Sequence, residues 1–314
     1  MGVFVFLPLV LPLTAWPVAR LAEQHLHPRA ATWLLTGAAA VLAVCSTVSL
    51  VLLMVVGTAQ LPGNPLPDAW SDPEVRAAVP YDEIAGRVAI PALAAVLASC
   101  GHAAWRHLRV RRRFRRALAS LPRTPVAVLP DSAPYAYALP GGPGRVVVTT
   151  ALLDALTSAE RRALFAHERA HLTARHHRFL LTAQLAARAN PFLRPLYTAV
   201  TYTAERWADE EAAARVGSRR VVARAVGKAA LLSRAAPAGP PGLAGLAGLA
   251  AAGPVPRRVA ALLGPAPSAR LWPPVSTAVG LAAWGAAAGT AASALSSANS
   301  AVTLFLILKA ATPL

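Results

Sequence analysis

Four long apolar stretches punctuate this chain, separated by polar or turn-rich segments. The first covers about Val3 to Ala19 and contains Pro8, Pro12 and Pro17. The second runs from about Ala31 to Gln60, the third from about Val88 to Trp105, and the fourth from about Trp272 to Leu308. A helix needs about 17–25 such residues to cross the hydrocarbon layer, so about four transmembrane helices are expected. The first stretch, near the lower limit, competes with a signal peptide. It lacks the basic leader of one, since no Lys or Arg precedes Arg20. The fourth is rich in Ala, Gly and Ser, which allow close helix packing in a bilayer.

The polar stretch between the third and fourth spans reads as an α+β region. Pro125 to Leu129 and Arg145 to Thr150 have the short β-rich pattern of strands, and PGGPG at Pro140–Gly144 marks a turn. Tyr135 to Leu139 (YAYAL) alternates and is a further strand candidate. A helix is expected to start near Thr157 or Ser158. With Ser158 as its cap, Arg161 takes the capping-box position and the cap is only partial. A second helix is expected over about Leu196 to Val216 and a third over Arg219 to Leu232. Pro237 to Pro256 is a Pro/Gly/Ala stretch that reads as a flexible linker, and RRVAALL (Arg257–Leu263) as a short helix. The expected organisation is a membrane region over 1–105 (spans 3–19, 31–60, 88–105), an α+β region over 106–236 that is the catalytic candidate, a linker and short helix over 237–271, and a last span with a short tail over 272–314.

Composition supports the membrane assignment. Hydrophobic residues make up 55% of the 314 and charged residues 14%, against about 25% charged in typical soluble domains. The net charge is +17, and seven arginines fall between Arg106 and Arg116. No aromatic-interleaved or base-reading pattern accompanies them, so direct nucleic-acid binding is not expected. Directly after a span they mark its cytoplasmic end, where anionic lipid headgroups are the partner. The loop before the third span instead carries Asp68, Asp72, Glu74, Asp82 and Glu83. The positive-inside rule therefore places both termini outside and the region from Arg106 to Arg270 in the cytoplasm.

That cytoplasmic region contains HERAH: His167, Glu168 and His171. Histidines four apart share one helix face and can bind one metal ion, while the intervening glutamate can accept a proton from water beside it. A hydrolytic zinc site takes three protein ligands and keeps one position open. The best third ligand is Glu205, 34 residues beyond His171 in TAERWADEEAA. Asp209 lies one turn further and is placed to orient a ligand histidine, His167 in this reading. For the oxyanion, Tyr202, His177 and nearby arginines stay open. His176 and His177 continue the catalytic helix and read as surface or substrate-side groups. His25, His27 and His102 read as solvated or interfacial residues, and Cys45 and Cys100 as small buried hydrophobes.

HERAHLTARHH, NPF at Asn190–Phe192 and ERWADEEAA from Glu205 resemble the membrane-anchored gluzincin peptidases typified by the beta-lactam-sensing (BlaR/MecR-type) receptor proteases, relatives of HtpX and the prenyl-protein endopeptidases. The segment PDSAPYAYALPGGPGRVVVTTALLDAL is similar to the strands before their catalytic helix. The resemblance covers about Leu129 to Gly217. It implies an α-helical membrane protein with a cytoplasmic α+β zincin-like (gluzincin) protease domain. It further implies one Zn2+ held by His167, His171 and Glu205, with Glu168 catalytic, and a cytosolic protein substrate, in many members a winged-helix repressor. Tyr135, Ala136, Tyr137 and Ala138 then form an edge strand for an extended substrate. The receptors carry a penicillin-binding sensor after the last span. This sequence stops shortly after Lys309, so beta-lactam sensing is not expected. The competing class is a non-catalytic membrane signalling or scaffold protein with a protease-like fold. The oligomeric state is open.

Overall fold

The structure, a computed structural model, describes residues 2–61, 63, 66–77, 82–117, 124–140, 144–235, 254–268 and 272–312. Most of the expected linker and the centre of the PGGPG turn lie outside these residues. Four helices are long and apolar enough to cross a membrane: α1 (Gly2–His25), α2 (Pro28–Ala59), the Ile84–Arg113 part of α3 (Asp82–Ala117), and α9 (Ala278–Ala311). Their outward side chains are those a water-soluble protein buries. Leu97, Leu295 and Phe305 are each more than 60% exposed, as lipid-facing residues are.

The prolines in α1 explain how it packs. Pro8 and Pro12 have no N–H to give to the carbonyls one turn back, those of Phe4 and Pro8. A bilayer offers no water to take up freed carbonyls, so other helices must. Ser296 of α9 donates to Phe4 O at 2.7 Å, and Ser46 of α2 donates to Pro8 O at 2.8 Å. A close backbone contact between these helices lies at the other end of α2. A side chain on Gly57 would put its first carbon 2.4 Å from the backbone of Gly86 on α3, so only glycine fits.

After α3 come three strands, β1 (Val126–Leu129), β2 (Ala136–Leu139) and β3 (Arg145–Thr149), in the order β1-β3-β2. β1 runs parallel to β3 with Val126 opposite Val146, and β2 antiparallel with Ala136 opposite Val148. β2 is an edge of this sheet. Then follow α4 (Ser158–Thr173), α5 (His176–Ala189), α6 (Arg194–Val216), α7 (Arg219–Ala235) and, past the undescribed stretch, α8 (Val255–Leu263). Two cores organise them. One joins the sheet to α4, α6, α7 and α8 through residues such as Val148, Leu164, Ala212, Val226 and Leu262. The other joins α5 and α6 to the spans α1 and α2, through Phe179, Ala183, Leu196 and Val200 against Ala15, Ala19, Leu35 and Leu42.

Two local expectations are corrected. The cap of α4 is complete and one residue earlier. Thr157 is the N-cap, its hydroxyl accepts from the Glu160 N–H, and the Glu160 carboxylate accepts from the Thr157 N–H at 2.9 Å. Reading Ser158 as the cap shifted the box and hid Glu160. The helix also does not run on through His176. It ends at Thr173, Arg175 takes a left-handed conformation (φ 55°), and α5 starts in a new direction at His176. A non-glycine residue there is unfavourable locally and persists only where surrounding packing holds it.

Replacing Gly57 or Gly86 with leucine forces α2 and α3 apart and is expected to lower the unfolding temperature in detergent, by the equivalent of about 1–3 kcal/mol or more. Unchanged melting of either variant contradicts this contact.

Candidate metal centre

The completed capping box fixes where α4 begins, and Lys228 of α7 adds an ion pair to Glu160 at 2.9 Å. From that start, the helical repeat turns His167, Glu168 and His171 toward α6 and the sheet. All three are buried, at 1%, 0% and 9% exposure. The Nε2 atoms of His167 and His171 converge to 3.0 Å. Across from them, Glu205 of α6 places Oε2 3.5 Å from His167 Nε2 and Oε1 3.5 Å from His171 Nε2. Donor atoms of these three residues all lie within 4.8 Å of one another. Zinc bonds of about 2.0–2.2 Å put tetrahedral donors about 3.3 Å apart, so the set fits one zinc ion with small adjustments.

Further groups hold the donors. Asp209 Oδ1 lies 3.1 Å from His167 Nδ1, off the straight line of an ideal hydrogen bond. Arg258 of α8, fully buried, grips Asp209 with two bonds, Nε to Oδ2 at 2.9 Å and Nη2 to Oδ1 at 2.6 Å. Its Nη1 lies 2.9 Å from Glu205 Oε2. On the other side, His171 Nδ1 and His176 Nδ1 are 2.8 Å apart. One ring must donate and the other accept. For His171 to offer Nε2 to an ion, its proton sits on Nδ1 and His176 accepts it. Burial, with help from the charges of His167 and His177, pushes the His176 pKa down to about 3, which keeps it a neutral acceptor. The His176 ring packs on Trp207 of α6 at 4.7 Å, and the Arg29 guanidinium lies 5.4 Å from the Trp207 ring centre.

The electrostatics of the site favour a cation. Glu168, Glu205 and Asp209 are buried to 2% exposure or less, and Arg258 is the cation bonded among them. Three carboxylates against one guanidinium leave a deficit of two positive charges, which a divalent ion removes. Without an ion, protons take its place. Burial opposes protonation of His167, but its contacts with Asp209 and Glu205 outweigh that and raise its pKa to about 9. Burial raises Glu168 to about 7, against the pull of His167 and Arg258. Burial alone would raise Asp209 too, yet Arg258 and His167 hold it well below the usual carboxylate range. His171, desolvated and beside other cationic groups, is held well below its ordinary value. Both Glu168 oxygens are buried without a hydrogen-bond partner. The Ala138 amide of β2 approaches and slightly favours the carboxylate without closing a bond. Such an orphaned carboxylate beside a metal-ligand set is suited to a water molecule.

The structure thus brings His167, His171, Glu205, Glu168, Asp209 and the edge strand β2 into one place. Tyr202 lies instead under the Arg257 guanidinium, 4.1 Å away, and His177 sits among Arg111, Arg178, His107 and Arg175, with burial foremost in pushing its pKa down to about 4. His27 caps α2 by accepting from the Arg29 N–H at 3.2 Å. Two residues of the site were not assigned from sequence. His176 is one, because a continuous helix aims it elsewhere; only the break at Arg175 swings it back. Arg258 is the other. The signal for it was indirect, since a buried Glu–Asp pair on one helix face needs a cation.

Zinc must displace the protons on His167 and Glu168, so its affinity is expected to rise with pH between about 6 and 9 and then level off, with proton release visible by calorimetry in buffers of different ionisation heat. A flat profile contradicts the site. His176→Ala is expected to weaken zinc binding about 10–100-fold. Arg258→Met leaves buried carboxylates uncompensated and is expected to destabilise the fold by about 3–5 kcal/mol in denaturant titration.

No curated protein and no solved structure matches the chain. The family model of Peptidase family M48 matches residues 101–189, a stretch that includes His167, Glu168 and His171 and ends before Glu205. That match supports the zincin-like M48 family, whose peptidases are zinc-dependent, and with the His–His–Glu group it points to a metalloprotease in a mostly helical chain fitting a membrane protein.

Proposed function

We propose that this protein is an integral membrane zinc metalloendopeptidase that cleaves a cytosolic protein. His167, His171 and Glu205 hold one Zn2+, Glu168 is the general base, and Asp209 orients His167. The observation that carries this reading is the convergence of two imidazoles and a carboxylate beside the buried, partnerless Glu168. When bound, the ion supplies Lewis acidity to the scissile carbonyl and acidifies the attacking water. Glu168 takes the proton of that water and returns it to the leaving amine, a role suited to its pKa of about 7. Asp209, itself fixed by Arg258, holds the His167 ring with Nε2 toward the ion, and His176 does the same for His171.

The substrate enters as an extended strand along β2. Thr149 donates to Tyr135 O at 3.1 Å. Hydrogen-bonded pairs alternate along an antiparallel ladder, so the peptide groups of Ala136 and Ala138 are left for the open edge. Ala138 is the one nearest Glu168, which brings a paired backbone to the general base. The basic end of α3 faces the cytoplasm, the acidic loop before it lies outside, and the termini lie outside. Residues 106–236 and the short helix α8 form the catalytic part. The likeness to BlaR/MecR-type receptors favours a transcriptional repressor as the substrate, and hence a role in signalling.

In cells, Glu168→Gln is expected to keep its zinc and lose about 10²–10⁴-fold in cleavage rate. Comparative proteomics against wild type should then show a cytosolic protein that stays uncut. If no protein differs between the two strains, the protease reading fails.

A further inference from the structure

The hairpin formed by α5, the turn Pro191–Leu193 and α6 carries two residues of the site, His176 and Glu205, yet its turn lies far down the spans. Three independent measures place it. On α2, the turn residue Asn190 donates to Ser46 Oγ at 3.0 Å. A hydrocarbon layer of about 30 Å takes about 20 helical residues. If that layer reaches the end of α2 at Ala59, its inner boundary falls near residue 39, and Ser46 lies about 10 Å below it. Any shift of the layer toward the start of α2 puts Ser46 deeper. On α3, the Cys100 thiol bonds Leu185 O of α5 at 3.6 Å, and Cys100 is six residues, about 9 Å, below the first residue of the basic run, Arg106. On α1, Leu193 packs with Leu11 and Ala15, five to nine residues below Arg20.

We infer that this turn is inserted into the inner leaflet of the bilayer, with lipid as its partner, so that the catalytic helices α5 and α6 are themselves membrane-anchored. The chemistry of the turn fits that solvent. Both ends of the Asn190 amide are engaged: Nδ2 donates to Ser46 Oγ, and Oδ1 accepts from the Phe192 N–H at 3.0 Å, as a site without water favours. Phe192 at the tip is 56% exposed, and no described residue covers that face. Arg188 and Arg194 flank it and are exposed. Their long stems let the guanidinium groups rise toward headgroup phosphates. The insertion also fixes a height. Thr203, two residues before Glu205, bonds Thr32, near the cytoplasmic start of α2 and of its apolar stretch. The metal ligands therefore sit at headgroup level, and a substrate strand must come to the membrane surface to be cut.

The inference is independent of catalysis and is tested without it. In protein carrying Cys45→Ala and Cys100→Ser, which keeps a donor to Leu185 O, a spin label is placed by Phe192→Cys, or by Glu211→Cys toward the far end of α6, where the side chain is 43% exposed. Both are reconstituted in phosphatidylcholine–phosphatidylglycerol vesicles. Phe192 is surface-exposed, so its replacement leaves the core intact, and gel filtration and circular dichroism verify the fold. The expected result is high collision with oxygen and low collision with a water-soluble nickel chelate at 192, and the reverse at 211. Nickel collision at 192 equal to that at 211 overturns the inference. Shielding of 192 from both reagents also overturns it, since protein then covers the turn.

Discussion

Three carboxylates buried around one guanidinium form the constraint on which the rest of this structure depends. Glu168, Glu205 and Asp209 come from two helices, and Arg258 from a third that follows the undescribed stretch. Desolvated charge of one sign is far more unfavourable than any packing gain nearby, so this cluster demands compensation. Arg258 provides part. The remainder is a charge that a divalent cation can balance, and it shifts His167 and Glu168 toward their protonated forms when no ion is present.

The same demand shapes the fold around it. α4 must start at a fixed residue to aim both imidazoles, and the Thr157–Glu160 box with Lys228 sets that start. α6 must run beside α4 with Glu205 and Asp209 one turn apart, and α8 must return to deliver Arg258. α5 must break from α4 at Arg175 to set His176 behind His171. The spans enter the site through this second layer. Arg29 at the head of α2 lies by Trp207, which packs on His176, and Thr32 bonds Thr203 two residues from Glu205. The long apolar helices and the candidate metal-ligand group are therefore joined by contiguous side chains.

Much of this was legible in the sequence, and the reason is periodicity. The apolar runs are long enough to predict helices that can cross a membrane, and the structure has helices there. HERAH states its geometry through the helical repeat, and Glu205 and Asp209 state theirs through a spacing of four. The alternation in YAYAL gave the strand that ends up at the sheet edge. What escaped notice depends on chain direction or on contacts between distant segments. Thr157 and Ser158 are both good caps, and only the pairing with Glu160 separates them. The left-handed Arg175 has no signature, since glycine is the usual occupant of that conformation. Arg258 lies 49 residues past its partner Asp209, in a segment whose sequence suggests only a short helix. NPF at Asn190–Phe192 stood out in the sequence, but neither the turn it forms nor its contact with α2 did, because an Asn–Ser bond between two helices leaves no trace in either one.

Zinc K-edge absorption of the purified full-length protein tests the central claim most directly. A charge-deficient pocket of two imidazoles and a carboxylate predicts one zinc per chain, with nitrogen and oxygen neighbours at about 2.0–2.2 Å, an imidazole scattering pattern and no sulfur. A spectrum without imidazole neighbours, or a protein that retains no zinc after purification in its presence, contradicts the account.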